Sequence, residues 1–276
     1  MTGKLIKYEF RSMIKQIGIV WLALPAVAVI FSLSNWAISQ MHIIPDGMSI
    51  FGDIILLITT FLYGGIFMAL AAVTCLIVLM RFYKGLLRDE GYLMHTLPVK
   101  TWQLITAKGV VAACVVLGRI FVAIISILLL NVVGGIGDIG QIIKGFFGVY
   151  GEHPIAILYT VEILLIVLAA ILKSIYQVYA AMSIGQLAQK HRIAFSVLAY
   201  IGIGIVMSIL FVIGVSILGS GFMEEPLNRF FLSLQNMQPE KGIQLIAVGL
   251  FLSQAVQVVL FHVVSERILC KHLNLE

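Results

Sequence analysis

Arg119 and Glu162 are the residues of this 276-residue chain best placed to do chemistry, because each interrupts a long apolar run. Arg119 lies eleven residues beyond Lys108, hence ~16 Å along a helix at 1.5 Å per residue, near a bilayer midplane. Glu162 follows Pro154 by eight residues, ~12 Å from the opposite membrane edge by the same rise. The two fall at nearly the same depth, so the expectation is an ion pair between the third and fourth apolar segments. A lone charge there costs ~2.5–3.5 kcal/mol, so a partner or a wet cavity is required. Such a pair can line a substrate path or hold two helices together. Lys173, nearer the inner edge, is read as snorkelling to the interface. Other chemistry lacks its parts. The six histidines and Cys75, Cys114 and Cys270 are scattered without ligand spacing, so neither a metal site nor a disulfide framework is expected. No catalytic residue is assigned. No G-x-x-x-x-G-K-[ST] phosphate loop occurs: Gly140 and Gly145 have the spacing, but Phe146 and Phe147 follow. If ATP is used, another chain binds it with its magnesium and hydrolyses it.

One motif points to an alternative. Glu224-Glu225-Pro-Leu-Asn-Arg229 resembles the E-E-x-x-x-R signature of CAAX-type intramembrane proteases, which need further histidines to complete a site. The downstream His262 and His272 fit neither F-x-x-x-H nor H-x-x-x-N, and the motif falls in an outer loop. A secondary transporter is the other alternative, for which discontinuous helices or internal repeats are expected. Gly64-Gly65 is the one hint of such a break.

The elements that must position these residues follow from composition. The chain is 61% hydrophobic and 11% charged, against roughly 45–50% and 25% for soluble domains, and its mean hydropathy is +1.08. Only a bilayer can solvate that much apolar surface. The apolar runs are continuous, which excludes the alternating strands of a transmembrane barrel. Six runs reach the ~20 residues that span a ~30 Å core: 17–39, 54–80, 108–133, 155–178, 193–218 and 243–264. The fold expected is an all-α integral membrane protein, one domain over 1–276 with no attached soluble enzyme. Lys4, Lys7, Arg11 and Lys15 precede the first run, which is longer than the ~7–15 residues of a signal-peptide core, so it is read as an uncleaved helix.

The net charge of +5 is distributed as an orientation signal and not as a nucleic-acid patch. Thirteen cations flank one side: Lys4, Lys7, Arg11, Lys15, Arg81, Lys84, Arg88, Lys100, Lys108, Lys190, Arg192, Arg267 and Lys271. The other side has Lys144, Arg229 and Lys241. Both termini are therefore expected inside. Around residues 1–16, Ile6, Phe10, Met13, Ile14 and Ile17 recur at three- and four-residue intervals opposite Lys4, Lys7, Arg11 and Lys15. That pattern predicts an amphipathic interfacial helix with its cations among anionic headgroups. Outside, the Gly-rich 134–154 stretch is expected to dip into the interface. The long loop 219–242 is expected to hold a short helix beginning near Pro226.

The connection over 81–107 is too polar to span and too apolar to be a free linker. Phe82, Leu86, Leu93 and Leu97 suit a short packed helix, interrupted by Gly91 and stopped by Pro98. Tyr83-Lys84, Asp89-Glu90-Gly91-Tyr92-Leu93 and Thr96-Leu97-Pro98-Val99 resemble the first cytoplasmic loop of bacterial ATP-binding cassette permeases of the type-2 exporter class. Ser183-Ile184-Gly185-Gln186-Leu187 followed by Lys190-His191-Arg192 is similar to a second segment of that family; His95 departs from it. The resemblance implies a multi-pass subunit in a bacterial plasma membrane, paired with a second permease copy or a paralogue. It implies docking through Asp89, Glu90, Gly91, Tyr92 and Leu93 on a separate cassette ATPase. Peptides, drugs, lipids and glycans are all handled by relatives, so substrate is not implied.

Overall fold

The computed structural model describes residues 2–40, 49–87, 99–133, 139–152, 155–188, 190–218 and 239–271. Every regular element among them is helical: α1 (Thr2–Gln40), α2 (Ser49–Phe82), α3 (Thr101–Val133), α4 (Ile139–Glu152), α5 (Ile155–Gly185), α6 (Arg192–Leu218) and α7 (Pro239–Lys271). All but α4 are long and apolar enough to cross a membrane. The chain is thus an all-α, six-span membrane protein. Helices are the natural outcome, because a bilayer offers no water to satisfy backbone N–H and C=O groups. Several hydroxyls embedded in these spans are satisfied within their own helix, by donating back one turn. Thr74 donates to the Leu70 carbonyl at 2.7 Å, Ser208 to Gly204 at 2.9 Å and Ser265 to Phe261 at 2.8 Å.

The six spanning helices hold 27 to 39 residues, well beyond the ~20 a bilayer needs. The excess lies mainly at the cation-rich ends. α1 starts at Thr2, so the amphipathic segment is helical as expected but runs into the first span without a break, even past Pro25. α4, 14 residues long, occupies the Gly-rich outer stretch and measures ~21 Å, too short to span.

The chain divides into two units. The first comprises residues 1–81 and 110–156. Within it, α1 presents Glu9, Met13, Ile17, Trp21, Leu24, Ala28 and Ser32 at three- and four-residue intervals, and α2 presents Tyr63, Phe67, Leu70, Thr74, Val78 and Arg81. These stripes meet each other and α3. Glu9 binds Arg81 and Phe31 packs on Tyr63 with ring centroids 6.0 Å apart, so α1 and α2 run antiparallel. Trp21 lies on Gly118 and Ser32 donates to the Leu130 carbonyl at 3.3 Å, so α1 and α3 run parallel. Three successive spans therefore alternate in direction, as the cation distribution requires. Helices in lipid gain little from burying apolar surface, so close packing at small residues and interhelical hydrogen bonds hold them. Gly118 serves the first need: a Cβ there would overlap the Trp21 ring. The Tyr63–Ser126 hydroxyl pair at 2.9 Å serves the second.

The second unit comprises residues 82–109 and 157–276. Its core gathers at the cation-rich ends of the helices: Phe82, Leu86, Leu104, Ile105, Tyr179 and Ala180 are all at most 1–2% exposed. The most hydropathic stretches of α6 and α7 bury none of their residues against protein, as expected of surfaces facing lipid. Between α5 and α6 the chain turns tightly. Ala188 N–H bonds the Gly185 carbonyl at 3.3 Å, His191 adopts φ 57°, and its carbonyl receives Phe195 N–H at 3.1 Å as α6 begins. A Cβ on Gly185 would lie 2.8 Å from the Cα of Ser196, a backbone atom that cannot rotate away. Gly185→Ala is expected to cost about 1–3 kcal/mol as an overpacking change, read as a lowered unfolding midpoint in detergent.

Absolute orientation is checked separately. In a cysteine-free background, single cysteines replacing Lys7 and Lys271 are expected to resist an impermeant thiol reagent on intact cells. One replacing Glu240 is expected to react. Labelling of the Lys7 position from outside would reverse the assignment.

Candidate functional site

The connection between α2 and α3 is built from two shoulders. Asp89, Glu90, Gly91, Tyr92 and Leu93 lie outside the described residues, as do His95 and Pro98. On the entering side α2 ends at Phe82 and passes into one π-helical turn, Tyr83–Leu87, in which Gly85, Leu86 and Leu87 are buried. Single π turns are frequent at functional sites. On the leaving side the Lys100 carbonyl receives the N–H groups of Gln103 and Leu104 at 2.9 and 3.4 Å. α3 then buries Leu104, Ile105, Ala107 and Lys108. Lys108, read from the sequence as a flanking cation, is only 4% exposed.

Tyr179 of α5 joins the two shoulders. Its ring stacks on Phe82, centroids 3.8 Å apart at 12°, and its hydroxyl donates to the Lys108 carbonyl at 3.4 Å. Tyr176, one turn earlier, meets Tyr179 edge-on at 5.9 Å and His262 of α7 edge-on at 5.3 Å. Gly109 leaves room for the Tyr176 ring. Aromatic pairs of these geometries contribute about 0.5–1.5 kcal/mol beyond their buried area. The cluster ties the end of α2, the start of α3, α5 and α7 into one stiff node. Sequence reading missed Tyr176 and Tyr179; their i, i+3 spacing in an otherwise aliphatic stretch was the available signal.

In the first unit, Lys4, Lys7, Arg11 and Lys15 are exposed, as expected of interfacial cations. The packed face of that helix is Glu9, Met13 and Ile17, whereas Phe10 and Ile14 are 38% and 40% exposed. Met13 and Ile17 of the expected apolar stripe are thus packed, while Glu9 takes the place expected of Phe10 and Ile14. Glu9 is 5% exposed and accepts from Arg81 Nε at 3.0 Å, with Arg81 26% exposed. This pair was not anticipated, although Glu9 is the one acid among the first sixteen residues.

Arg119 follows Val115 by one turn and precedes Ser126 by two, on the stripe that faces α1 and α2. Its guanidinium lies over the Phe67 ring, 6.0 Å from the centroid. A cation–π contact recovers about 0.5–2 kcal/mol, against the ~2.5–3.5 kcal/mol cost of a charge at that depth. Among the described residues Arg119 has no ion-pair partner. Glu162 is half-buried on α5, within the second unit. Glu224, Glu225 and Arg229 lie outside the described residues. Among the described residues no group of three or more His, Cys, Asp or Glu could hold a metal ion.

Compared with known proteins, the chain matches no family, no curated protein and no solved structure.

Proposed function

We propose that this chain is the membrane-spanning subunit of an ATP-driven exporter in a bacterial plasma membrane. It forms the substrate path with a second copy or a paralogue and takes its energy from a separate cytoplasmic cassette ATPase, which binds ATP and magnesium. It has no catalytic residues of its own in this reading. The observation that carries the proposal is the double engagement of Tyr179. One α5 side chain touches Phe82, six residues before the 88–98 stretch, and Lys108, ten residues after it. A push on that stretch would move both shoulders together and reach α5 directly. From Tyr176 it would reach α7 through His262. The resemblance of Asp89–Leu93 and Ser183–Leu187 to exporter permeases names the source of the push.

Docking would combine apolar anchors with the Asp89 and Glu90 carboxylates, which invite cations on the ATPase. Exposed ion pairs contribute only ~0–1 kcal/mol, whereas buried aromatic and aliphatic anchors often contribute ≥2 kcal/mol. Affinity purification from native membranes, followed by ATPase activity of the eluate, tests this. Glu90→Ala is expected to reduce co-eluting ATPase slightly, and Tyr92→Ala with Leu93→Ala to remove most of it. Undiminished co-elution in the double variant would refute docking through this loop.

A further inference from the structure

α4 joins the cation-poor ends of α3 and α5 as a helix of 14 residues. A free helix of that length is marginal in water, and Gly140, Gly145, Gly148 and Gly151 weaken it further. Something must therefore hold one of its faces. The glycine side is not the one held. A Cβ on Gly145, Gly148 or Gly151 would meet nothing within 4 Å, and Gly140 and Lys144 are exposed. At 3.6 residues per turn, these positions share one arc of the helix with Gln141 and Glu152. Every apolar position from Ile139 to Tyr150, Ile143, Phe146 and Phe147 among them, falls on the opposite arc.

We infer that α4 lies in the plane of the membrane on that side and docks on lipid. Its apolar arc sinks ~5–10 Å into the boundary of headgroups and acyl chains, and its glycine arc is turned to water. The chain keeps α4 at the membrane edge. Five residues separate it from the end of α3 and two from the start of α5, so Glu152 stands within about 11 Å of the first residue of a span. Phe147, at the margin of the apolar arc, is 66% exposed. The described part of this face is therefore not sealed against the helices of its own unit. The helix carries one cation, Lys144, and one acid, Glu152, so neither an anionic nor a cationic surface is favoured. Apolar burial is left as the attraction, and zwitterionic lipid suffices. This placement does not depend on the exporter reading.

The test is nitroxide scanning of the full chain, cysteine-free apart from the labelled site, in phosphatidylcholine vesicles. Ile143→Cys, Lys144→Cys, Phe147→Cys and Gly148→Cys are labelled one at a time. Each label is probed with oxygen, which concentrates among acyl chains, and with a water-soluble nickel chelate. The oxygen-to-nickel collision ratio is expected to be several-fold higher for Ile143→Cys and Phe147→Cys than for Lys144→Cys and Gly148→Cys. Phe147 is exposed and Gly148 has open space beside it, so this adjacent pair carries the test if the Ile143 variant does not fold. Adding phosphatidylglycerol to the vesicles is expected to leave the contrast unchanged. Nickel-accessible labels at all four positions would put α4 in water and overturn the placement. Labels at Ile143 and Phe147 shielded from both reagents would put protein on that face, its own bundle or a second copy, and would overturn it as well. A contrast seen only with phosphatidylglycerol present would overturn apolar burial as the attraction.

Discussion

Removing either member of the Glu9–Arg81 pair is expected to lower stability by about 2–4 kcal/mol. Breaking a buried ion pair strands the partner and typically costs 3–5 kcal/mol, whereas exposed pairs contribute ~0–1 kcal/mol. Glu9 is 5% exposed and Arg81 26%, so the pair falls between these limits, nearer the buried one. The two single variants, Glu9→Ala and Arg81→Ala, should not add: the double variant is expected to recover at least ~1 kcal/mol relative to their sum. Unfolding midpoints and yields of the three proteins in one detergent provide the check. The consequence is specific to place. Glu9 lies on the basic helical extension that the sequence reads as interfacial, and Arg81 lies one residue before Phe82. Loss of the pair would free that extension from α2 next to the base of the 88–98 stretch. Additive losses, or a cost below ~0.5 kcal/mol for Arg81→Ala, would place the pair among ornamental surface contacts.

Tyr179→Ala is expected to be the most damaging single truncation in the second unit, at about 3–5 kcal/mol for a fully buried aromatic residue. Tyr179 is 2% exposed and stacks on Phe82. Tyr179→Phe separates its two roles. It keeps the stack and loses the 3.4 Å bond to the Lys108 carbonyl, a long contact whose removal is expected to cost about 1 kcal/mol or less. The Phe variant should therefore fold and insert nearly as well as the parent, while the Ala variant shows a sharply lower unfolding midpoint. Equal losses in the two would mean that the hydroxyl, and not the ring, holds the shoulders together.

What could be read beforehand divides along physical lines. The six spans were legible because a run of ~20 apolar residues has few outcomes other than a membrane helix. Their true length was not, because the extra turns carry Lys4 to Lys15 at one end of α1 and Lys84 beyond α2. Hydropathy scores such turns as loop even where the backbone stays helical. α4 escaped notice because Gly140, Gly145, Gly148 and Gly151 each cost a helix about 0.8–1 kcal/mol relative to Ala. Amphipathic spacing in residues 1–16 was visible, but the packed face was decided by Arg81, seventy-two residues away. No local pattern carries that information. The same holds for the node around Tyr179, whose members come from α2, α3, α5 and α7. Gly185, by contrast, stood inside a stretch already singled out, and the approach of Ser196 supplies the reason for a glycine there.

Coupling as proposed requires that movement of the 88–98 stretch reach the membrane helices. Its most direct test is substrate-stimulated ATP hydrolysis by the purified complex, compared between the parent and Tyr92→Ala with Leu93→Ala. Membrane insertion and unfolding midpoint are checked in the same samples. The prediction is loss of most stimulation with insertion and midpoint unchanged, as expected if the altered side chains anchor the proposed partner and not the bundle. Full stimulation in that double variant would contradict the role proposed for this connection as the coupling element.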